Sequence, residues 1–408
     1  MGPQPAGPEE LYTAIPQKTE TIPKQPTLFR RTNFKDPSWM TQNIRSDKKV
    51  AVILHTHVRA SVVPVTTTEG YEFLCSYNWK QSTTPTIYVP GTPPKWNPPP
   101  LPKQLQKDWG EHWVDQHAER VPRFQFEPIF QALAIMNPNV RFNDVDIVVN
   151  RNTLQKLYDF ASFKRSYRQF HVDLDLIGTT LFIGRKEKNS ITEAQGGYGR
   201  NFEYEFTSED PSLNKADGHH RVITYDLGGL KIVVRMEADG YLEPEAPEEP
   251  NEFFLNFLGT MESTNATIAH RNPQHTTVIP GGTLIPHRCT LELKSNRDNN
   301  TARTQTWFGR TRNLVFGRHK EGLIRAVAPV YLQNEDFEAW AVKNQGNIRR
   351  LVWLLEEIRR VVMEKTCGAA VLVAIDRGAP FQIFEAKHSF GALPKEVVER
   401  FWEKENEV

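Results

Sequence analysis

Apolar residues recur at helical spacing across FEAWAVKNQGNIRRLVWLLEEIRRVVMEK, where Ile348, Leu351, Leu355, Ile358 and Val362 fall on one stripe. That spacing predicts a long amphipathic helix. FEPIFQALAIM, NEFFLNFLGTMESTNATIAHR and the closing KEVVERFWEKE predict shorter ones. Elsewhere the apolar residues come in short runs bounded by turn formers, the pattern of strands. KKVAVILHTHVRASVVPVT and YEFLCSYNW read as short antiparallel strands, and FHVDLDLIGTTLFIGRKE opens a stretch in which strands dominate up to VVRMEADGYL. CTLELKSN, AAVLVAID and PFQIFEAKH add further strands, and DVDIVVNRNTLQKLYDFA changes period midway, a strand running into a helix. The fold class expected is α+β, a single large domain with mixed β-sheet flanked by helices, and the strands from about 145 to 385 read as one mixed sheet.

Proline punctuates this pattern. Residues 1–30, rich in Pro, Thr, Glu and Gln, are expected to form a flexible arm ahead of one domain over 31–408. Eight prolines fall between Pro85 and Pro102, and PPKWNPPPLPKQL cannot be a helix or a central strand. The 85–102 stretch therefore reads as an extended surface loop anchored by Trp96 and Trp109, with a Pro-rich partner ligand as the alternative. The acidic LEPEAPEEPNE breaks the strands a second time, and no internal repeat is visible.

Composition narrows the class. With 408 residues, 38% hydrophobic and 24% charged, the chain has the make-up of a globular protein. Its net charge of +1 announces no polyanion partner, so any nucleic-acid site must be a local patch. Cys75, Cys289 and Cys367 are scattered and odd in number, against a disulfide framework or a cysteine zinc site. MGPQPAGPEELYTAIPQ has neither a basic start nor an apolar run, so the expected location is intracellular, nucleus or cytoplasm, with no membrane partner. RRTNFK and FKRSYR are too short to choose between those compartments, and the sequons at Asn265 and Asn299 carry little weight without a secretory signal.

Charge pairs inside two apolar strands carry the chemistry. Glu237-Ala238-Asp239 and Glu292-Leu293-Lys294 each place two charged side chains two residues apart, hence on one strand face. Three carboxylates and an ammonium converging there would repel and desolvate one another unless a divalent cation sat among them. Hard oxygen ligands suit Mg²⁺ or Mn²⁺, and no Cys or His cluster argues for zinc. His219-His220, in KADGHHR, reads as a solvated turn.

An acidic residue followed at a distance by Glu-x-Lys is also the signature of the PD-(D/E)XK nuclease core, and the chain contains two such sets. Asp376 with Glu385-Ala386-Lys387 fits as well, so spacing alone leaves both open. The first set has more chemistry around it: Glu203 in GYGRNFEYEF upstream, and downstream Gln305, Arg310, Arg312, Arg318 and Lys320 as phosphate donors beside Trp307 and Phe308.

In order and spacing these motifs resemble the DXO family of decapping exonucleases, a PD-(D/E)XK branch acting on RNA 5′ ends. Arg151 follows a strand and opens a helix; Gly199 to Glu203 matches Gly-x-x-aromatic-Glu; the two triplets match Glu-hydrophobic-Asp and Glu-hydrophobic-Lys; Gln305 stands twelve residues before Gly317. These motifs span 151–317. Thr306 stands where the family usually has Ser, Gly309 comes a residue early, Gly317-Arg318-His319-Lys320 replaces Gly-Phe-Arg-Asp, and Asn152 follows Arg151 where Gly is commoner. These departures lie in substrate-facing segments and leave the preferred 5′ end open.

The resemblance implies that Glu203, Glu237, Asp239, Glu292 and the Leu293 carbonyl hold one or two Mg²⁺ or Mn²⁺ ions. It implies that Lys294 orients the attacking water, that Gln305 bonds that water or a phosphate, and that Arg151 neutralises substrate phosphates. The implied substrate is RNA with a modified or incomplete 5′ end, losing pyrophosphate, an incomplete cap or a NAD-type cap, with 5′–3′ trimming in some members. A 5′–3′ exoribonuclease is the implied protein partner, and stabilising it without catalysis is the second function to weigh. A DNA endonuclease on the same core is a third.

Overall fold

The computed structural model describes residues 39–66, 69–164, 169–194, 196–244, 275–295, 300–374, 379–389 and 391–402. In chain order its strands are β1 Ile44–Ile53, β2 Glu72–Lys80, β3 Thr86–Pro90, β4 Lys95–Trp96, β5 Lys103–Gln104, β6 Glu111–Trp113, β7 Ile147–Asn150, β8 Phe170–Ile177, β9 Thr180–Lys186 and β10 Ile191–Glu193. They continue with β11 Thr207–Ser208, β12 Ala216–Leu227, β13 Leu230–Glu237, β14 Gly240–Tyr241, β15 Thr277–Gly281, β16 Thr290–Lys294, β17 Asn313–Lys320, β18 Leu323–Tyr331, β19 Ala369–Ala374 and β20 Phe381–Ala386. The helices are α1 Gln116–Arg120, α2 Glu127–Met136, α3 Arg151–Ala161, α4 Gly199–Phe206, α5 Asn300–Gly309, α6 Asn334–Lys365 and α7 Lys395–Phe401.

Among the described residues the strands form not one mixed sheet but two, plus a short β10–β6 pair. The larger runs β1-β20-β19-β8-β9-β7-β13-β12-β2-β3-β15, and the second runs β11-β4-β14-β16-β17-β18-β5. Both mix parallel pairs, such as β7 with β13 and β16 with β17, with antiparallel ones. The architecture is α+β, with mixed sheets flanked by helices. The described residues belong to one compact unit, Asn33–Val408.

Strand alternation decides the layers. On β13, Ile232 and Val234 join one core while Val233 joins another, and on β7, Ile147 and Val149 divide from Val148 in the same way. The first face packs under α3 and α6, whose stripe Ile348, Leu351, Leu355, Ile358 and Val362 is wholly buried. Each such side chain contributes about 1.5–3 kcal/mol relative to exposure. The opposite face packs under α2 and α7. A smaller core under the second sheet takes Phe202 and Phe206 of α4 against Leu291, Leu293 and Val315.

Several expectations change. The two N-terminal strands do not pair with each other: β1 is antiparallel to β20 at one edge, whereas β2 lies between β12 and β3 near the other. Both read locally as strands, and nothing local encodes the partner. The Pro-rich stretch is not wholly a surface loop, because Thr86–Pro90 is a buried strand of the large sheet. Pro90 is tolerated at that strand's end, where the parallel neighbour β15 also stops. Trp96 does anchor the stretch, 5.9 Å from Phe206, while Trp109 is 55% exposed and anchors nothing. GYGRNFEYEF, placed within a strand-dominated region, is the helix α4, whose Phe202 and Phe206 repeat at i and i+4. NEFFLNFLGTMESTNATIAHR lies outside the described residues. No helix among the described residues is long and apolar enough to cross a membrane.

Gly317 on β17 lets α4 sit down, since a Cβ there would stand 2.5 Å from the Phe202 ring. Gly317→Ala is therefore expected to cost about 1–3 kcal/mol by overpacking. Urea denaturation measures this, and an unchanged midpoint would mean that Phe202 is not seated against β17.

Candidate active site

The first triplet is not within one strand. β13 ends at Glu237, Ala238-Asp239 crosses out of the large sheet, and Gly240–Tyr241 enters the second sheet as β14. β14 pairs with β16, Gly240 opposite Leu291, which sets Asp239 beside the second triplet. The Leu293 amide donates to Asp239 Oδ2 at 2.8 Å, fixing that carboxylate against β16.

Glu292 and Lys294 share a face of β16, as their spacing requires. Lys294 Nζ donates to Glu292 Oε1 at 2.6 Å and to the Leu293 carbonyl at 3.0 Å, and stands 3.5 Å from Asp239 Oδ2. Arg151, the first residue of α3, forks onto the same carboxylate, Nη1 to Oε2 at 2.8 Å and Nη2 to Oε1 at 3.3 Å. Gly309 makes room for that guanidinium, since a Cβ there would lie 3.1 Å from Nη1. Glu203 reaches the cluster from α4, whose first turn rests on Asp108: the Asn201 amide donates to Asp108 Oδ1 at 3.0 Å.

Charge within the cluster is uneven. Burial alone would raise the Glu292 pKa, but Arg151 and Lys294 outweigh it and pull the carboxyl down to about 2. Burial also works against the Lys294 ammonium, and Glu292 with Asp239 more than restores it. For the other carboxyls the same cations do not outweigh burial and mutual repulsion. Burial, then repulsion from Asp239, lifts Glu203 well above its ordinary value, and burial with Glu292 lifts Asp239. Glu237 is reached by solvent yet densely surrounded, so it sits recessed in the surface; burial and Asp239 raise it to about 7.

These residues fit a divalent cation by chemistry and by charge. The carboxylates of Glu203, Glu237, Asp239 and Glu292 and the Leu293 carbonyl are hard oxygen donors. Four carboxylates against Arg151 and Lys294 leave two negative charges, which one divalent ion balances. Among the described residues no three acidic, histidine or cysteine side chains converge at metal-binding distances, and the Lys294 ammonium lies between Asp239 and Glu292.

Not every expected residue joins. Gln305 lies on α5 one turn before Gly309, and its Oε1 is buried without a hydrogen bond among the described residues. Arg310 is not a surface donor: it is 8% exposed, and Trp307 and Phe308 are core residues. Arg318 and Lys320 are exposed at the end of β17. His219 and His220 are not a solvated turn but interior residues of β12, buried between β2 and β13. His219 shares a hydrogen bond with Asn78, and the His220 ring lies 4.4 Å from that of His117. Of the second acidic set, Asp376 lies outside the described residues, while Glu385 pairs at 3.4 Å with Arg45 on the edge strand. Cys75, Cys289 and Cys367 are all free.

Residues without a motif also reach the site. Arg200 stands where Glu203, Asp108 and Glu237 act on it, and a Cβ on Gly218 would come within 3.0 Å of Glu237 Oε1. Arg200 lies inside the Gly199–Glu203 motif and was legible there. The parts of Asp108 and Gly218 depend on chain brought in from elsewhere and leave no local mark.

The fold, two mixed sheets flanked by helices, is shared with Rai1. The structure matches that of S. pombe Rai1 in complex with 3′-FADP with a TM-score of 0.54 at 12% identity, covering 82% of this chain and 98% of that one. It matches Scheffersomyces stipitis Rai1 in complex with (3′-NADP)⁺ and calcium ion at 0.52 and 12%, covering 84% and 97%. The likeness to the DXO family thus holds at the level of fold. By sequence, residues 48–402 match the family described as Domain of unknown function (DUF8563), and the chain belongs to that family. No curated protein matches it.

The raised Glu237 pKa has a consequence for stability. Its folded value, about 7, exceeds the ordinary 4.5, so its contribution is fully present below 4.5 and is lost as pH rises through 7. In chelator, Glu237→Gln should melt above the parent protein at pH 8, with the difference vanishing near pH 4. A lower melting temperature for the variant at pH 8 would contradict the placement of Glu237 among uncompensated carboxylates.

Proposed function

We propose that this protein is a metal-dependent hydrolase acting at RNA 5′ ends, removing a modified or incomplete cap-like group. The observation that carries the reading is the junction of the two sheets, where Glu203, Glu237, Asp239 and Glu292 meet Lys294 and Arg151 in a fold shared with Rai1. Support for the substrate class comes from the Rai1 proteins, crystallised with 3′-FADP and with (3′-NADP)⁺ and calcium ion.

In this reading Glu203, Asp239, Glu292 and the Leu293 carbonyl hold Mg²⁺ or Mn²⁺, with Glu237 taking a water or a second ion. The ion supplies Lewis-acid polarisation of the scissile phosphoryl group. Lys294 does the chain's own electrostatic work. Its ammonium is pinned by Glu292 and the Leu293 carbonyl, and in this reading it stabilises the negative charge that gathers in the transition state. Arg151 holds Glu292 ionised at any pH of interest, keeping an anionic donor in place. Its fork is occupied by that carboxylate, so its first duty is to position Glu292, and substrate phosphate takes second place. The recessed Glu237 accepts a proton from water near neutral pH.

Asp239→Ala with Glu292→Ala is expected to abolish Mn²⁺-dependent release of 5′ products from RNAs carrying triphosphate, NAD or unmethylated-cap ends, read by mass analysis. Lys294→Ala should lower the rate about 10²–10³-fold. Glu385→Ala, on β20 and paired with Arg45 of the edge strand, should leave the rate unchanged. Full release by the double variant would sink the assignment, and loss in Glu385→Ala would move the site to the second acidic set.

A further inference from the structure

Beside the carboxylate cluster lies a group of buried cations with no anions. Arg221 on β12 is fully buried, and Arg310, just after α5, is 8% exposed. Arg221 donates from Nε to His287 Nδ1 at 3.2 Å and from Nη2 to the Ile285 carbonyl at 2.9 Å, leaving Nη1 without a partner among the described residues. Arg310 donates from Nη1 to the Trp307 carbonyl, while its Nε and Nη2 have none among the described residues. The groups that favour their charged forms are tyrosines and cysteines, Tyr71 foremost for Arg221 and Tyr225 for Arg310; no carboxylate is among them.

A guanidinium removed from water is costly unless an anion and full hydrogen bonding compensate it. The ring contacts here, Arg310 at 4.2 Å from both Tyr225 and Trp307 and Arg221 at 4.4 Å from Phe73, offset only part of that cost. They also orient the two forks. Arg310 is further held in a left-handed backbone, φ 52°, that non-glycine residues avoid. Two uncompensated cations in a strained setting are therefore not explained by stability.

Their position explains them. Tyr71 is 39% exposed, its ring lies 5.8 Å from that of His287, which Arg221 bonds, and Arg221, Arg310 and Arg312 all act on it. From there a run of contacts leads to the cluster: His287, bonded to Arg221, also meets the Gly309 carbonyl at 2.9 Å, and Gly309 lies against Arg151. We propose that Arg221, Arg310 and Arg312 around Tyr71 form a phosphate-binding site for the backbone of the RNA strand engaged at the carboxylate cluster. Planar forks with free N–H groups match a phosphate's oxygens, and a phosphodiester supplies the missing anion. The strand's identity as RNA rests on the function proposed above; the need for an anion does not.

The test is binding of a fluorescent pentauridylate to the full chain in chelator, as a function of salt, with melting temperatures beside it. Arg310→Met and Arg221→Met should bind about tenfold more weakly and flatten the slope of log K against log salt by about 0.7, the loss of one single-strand phosphate contact. Neither should melt below the parent, since each removes an uncompensated buried charge; a merely structural arginine gives the opposite pattern, lower melting and unchanged affinity. Tyr71→Glu leaves the core intact and should act as a built-in anion, weakening RNA binding while raising the melting temperature. Inorganic phosphate should raise the parent's melting temperature more than chloride of equal ionic strength, and this gain should vanish in Tyr71→Glu. Unchanged RNA affinity in folded Tyr71→Glu and Arg310→Met overturns the proposal, as does stabilisation by free phosphate with no effect of these variants on RNA. RNA binding that the variants weaken, in a protein that hydrolyses none of the 5′ ends, leaves this site standing and removes the hydrolase reading.

Discussion

The ion pair between Arg151 and Glu292 is the constraint on which the rest of the structure turns. Arg151 starts the helix that follows a strand of the large sheet, and Glu292 lies on a strand of the second, so their fork ties the two sheets together at the point where carboxylates gather. Breaking a buried pair by removing one partner costs about 3–5 kcal/mol, because the charge left behind has no water to return to. Lys294 completes the compensation. With Glu292 ionised and held, Asp239 fits beside it by accepting from the Leu293 amide, where the chain from Glu237 crosses from one sheet to the other.

The same compensation is uneven across the cluster. Glu292 is satisfied by two cations, but Glu203, Glu237 and Asp239 are pushed towards their neutral forms by burial and by one another. A site in which one carboxylate is firmly anionic and three resist ionisation has an unmet demand for positive charge. The arginines around Tyr71 present the complementary demand, cations lacking an anion, a few contacts away. In the function proposed above, a phosphorylated substrate with a divalent ion would answer both.

Much of this was legible one segment at a time. The strand-to-helix change at Asn150 and Arg151, the long helix with its stripe from Ile348 to Val362, and the pairing of Glu292 with Lys294 on one face all follow from periodicity, and all are present. What was misread shares one cause. His219 and His220 look like a polar turn until β2 and β13 close over them, Arg310 looks like a solvated donor until Tyr225 and Trp307 enclose it, and β1 and β2 look like a pair until each finds a distant partner. Thr86–Pro90 was hidden by its prolines, although a strand end tolerates them.

The sequence by itself determined many of the elements, the long helix and the strand-to-helix change among them, and the order of the motifs, because side-chain periodicity is a local property of a chain. It also marked Gly199, Glu203 and both triplets as belonging together by their order. The tertiary structure alone decided that Glu237 and Asp239 straddle two sheets, that Gln305 Oε1 is buried without a hydrogen bond among the described residues, and that Arg151 spends its fork on Glu292, a residue 141 positions away. Burial and electrostatic partnership arise between segments that meet only in the folded chain, and they set which charges are satisfied and which are left open for a substrate.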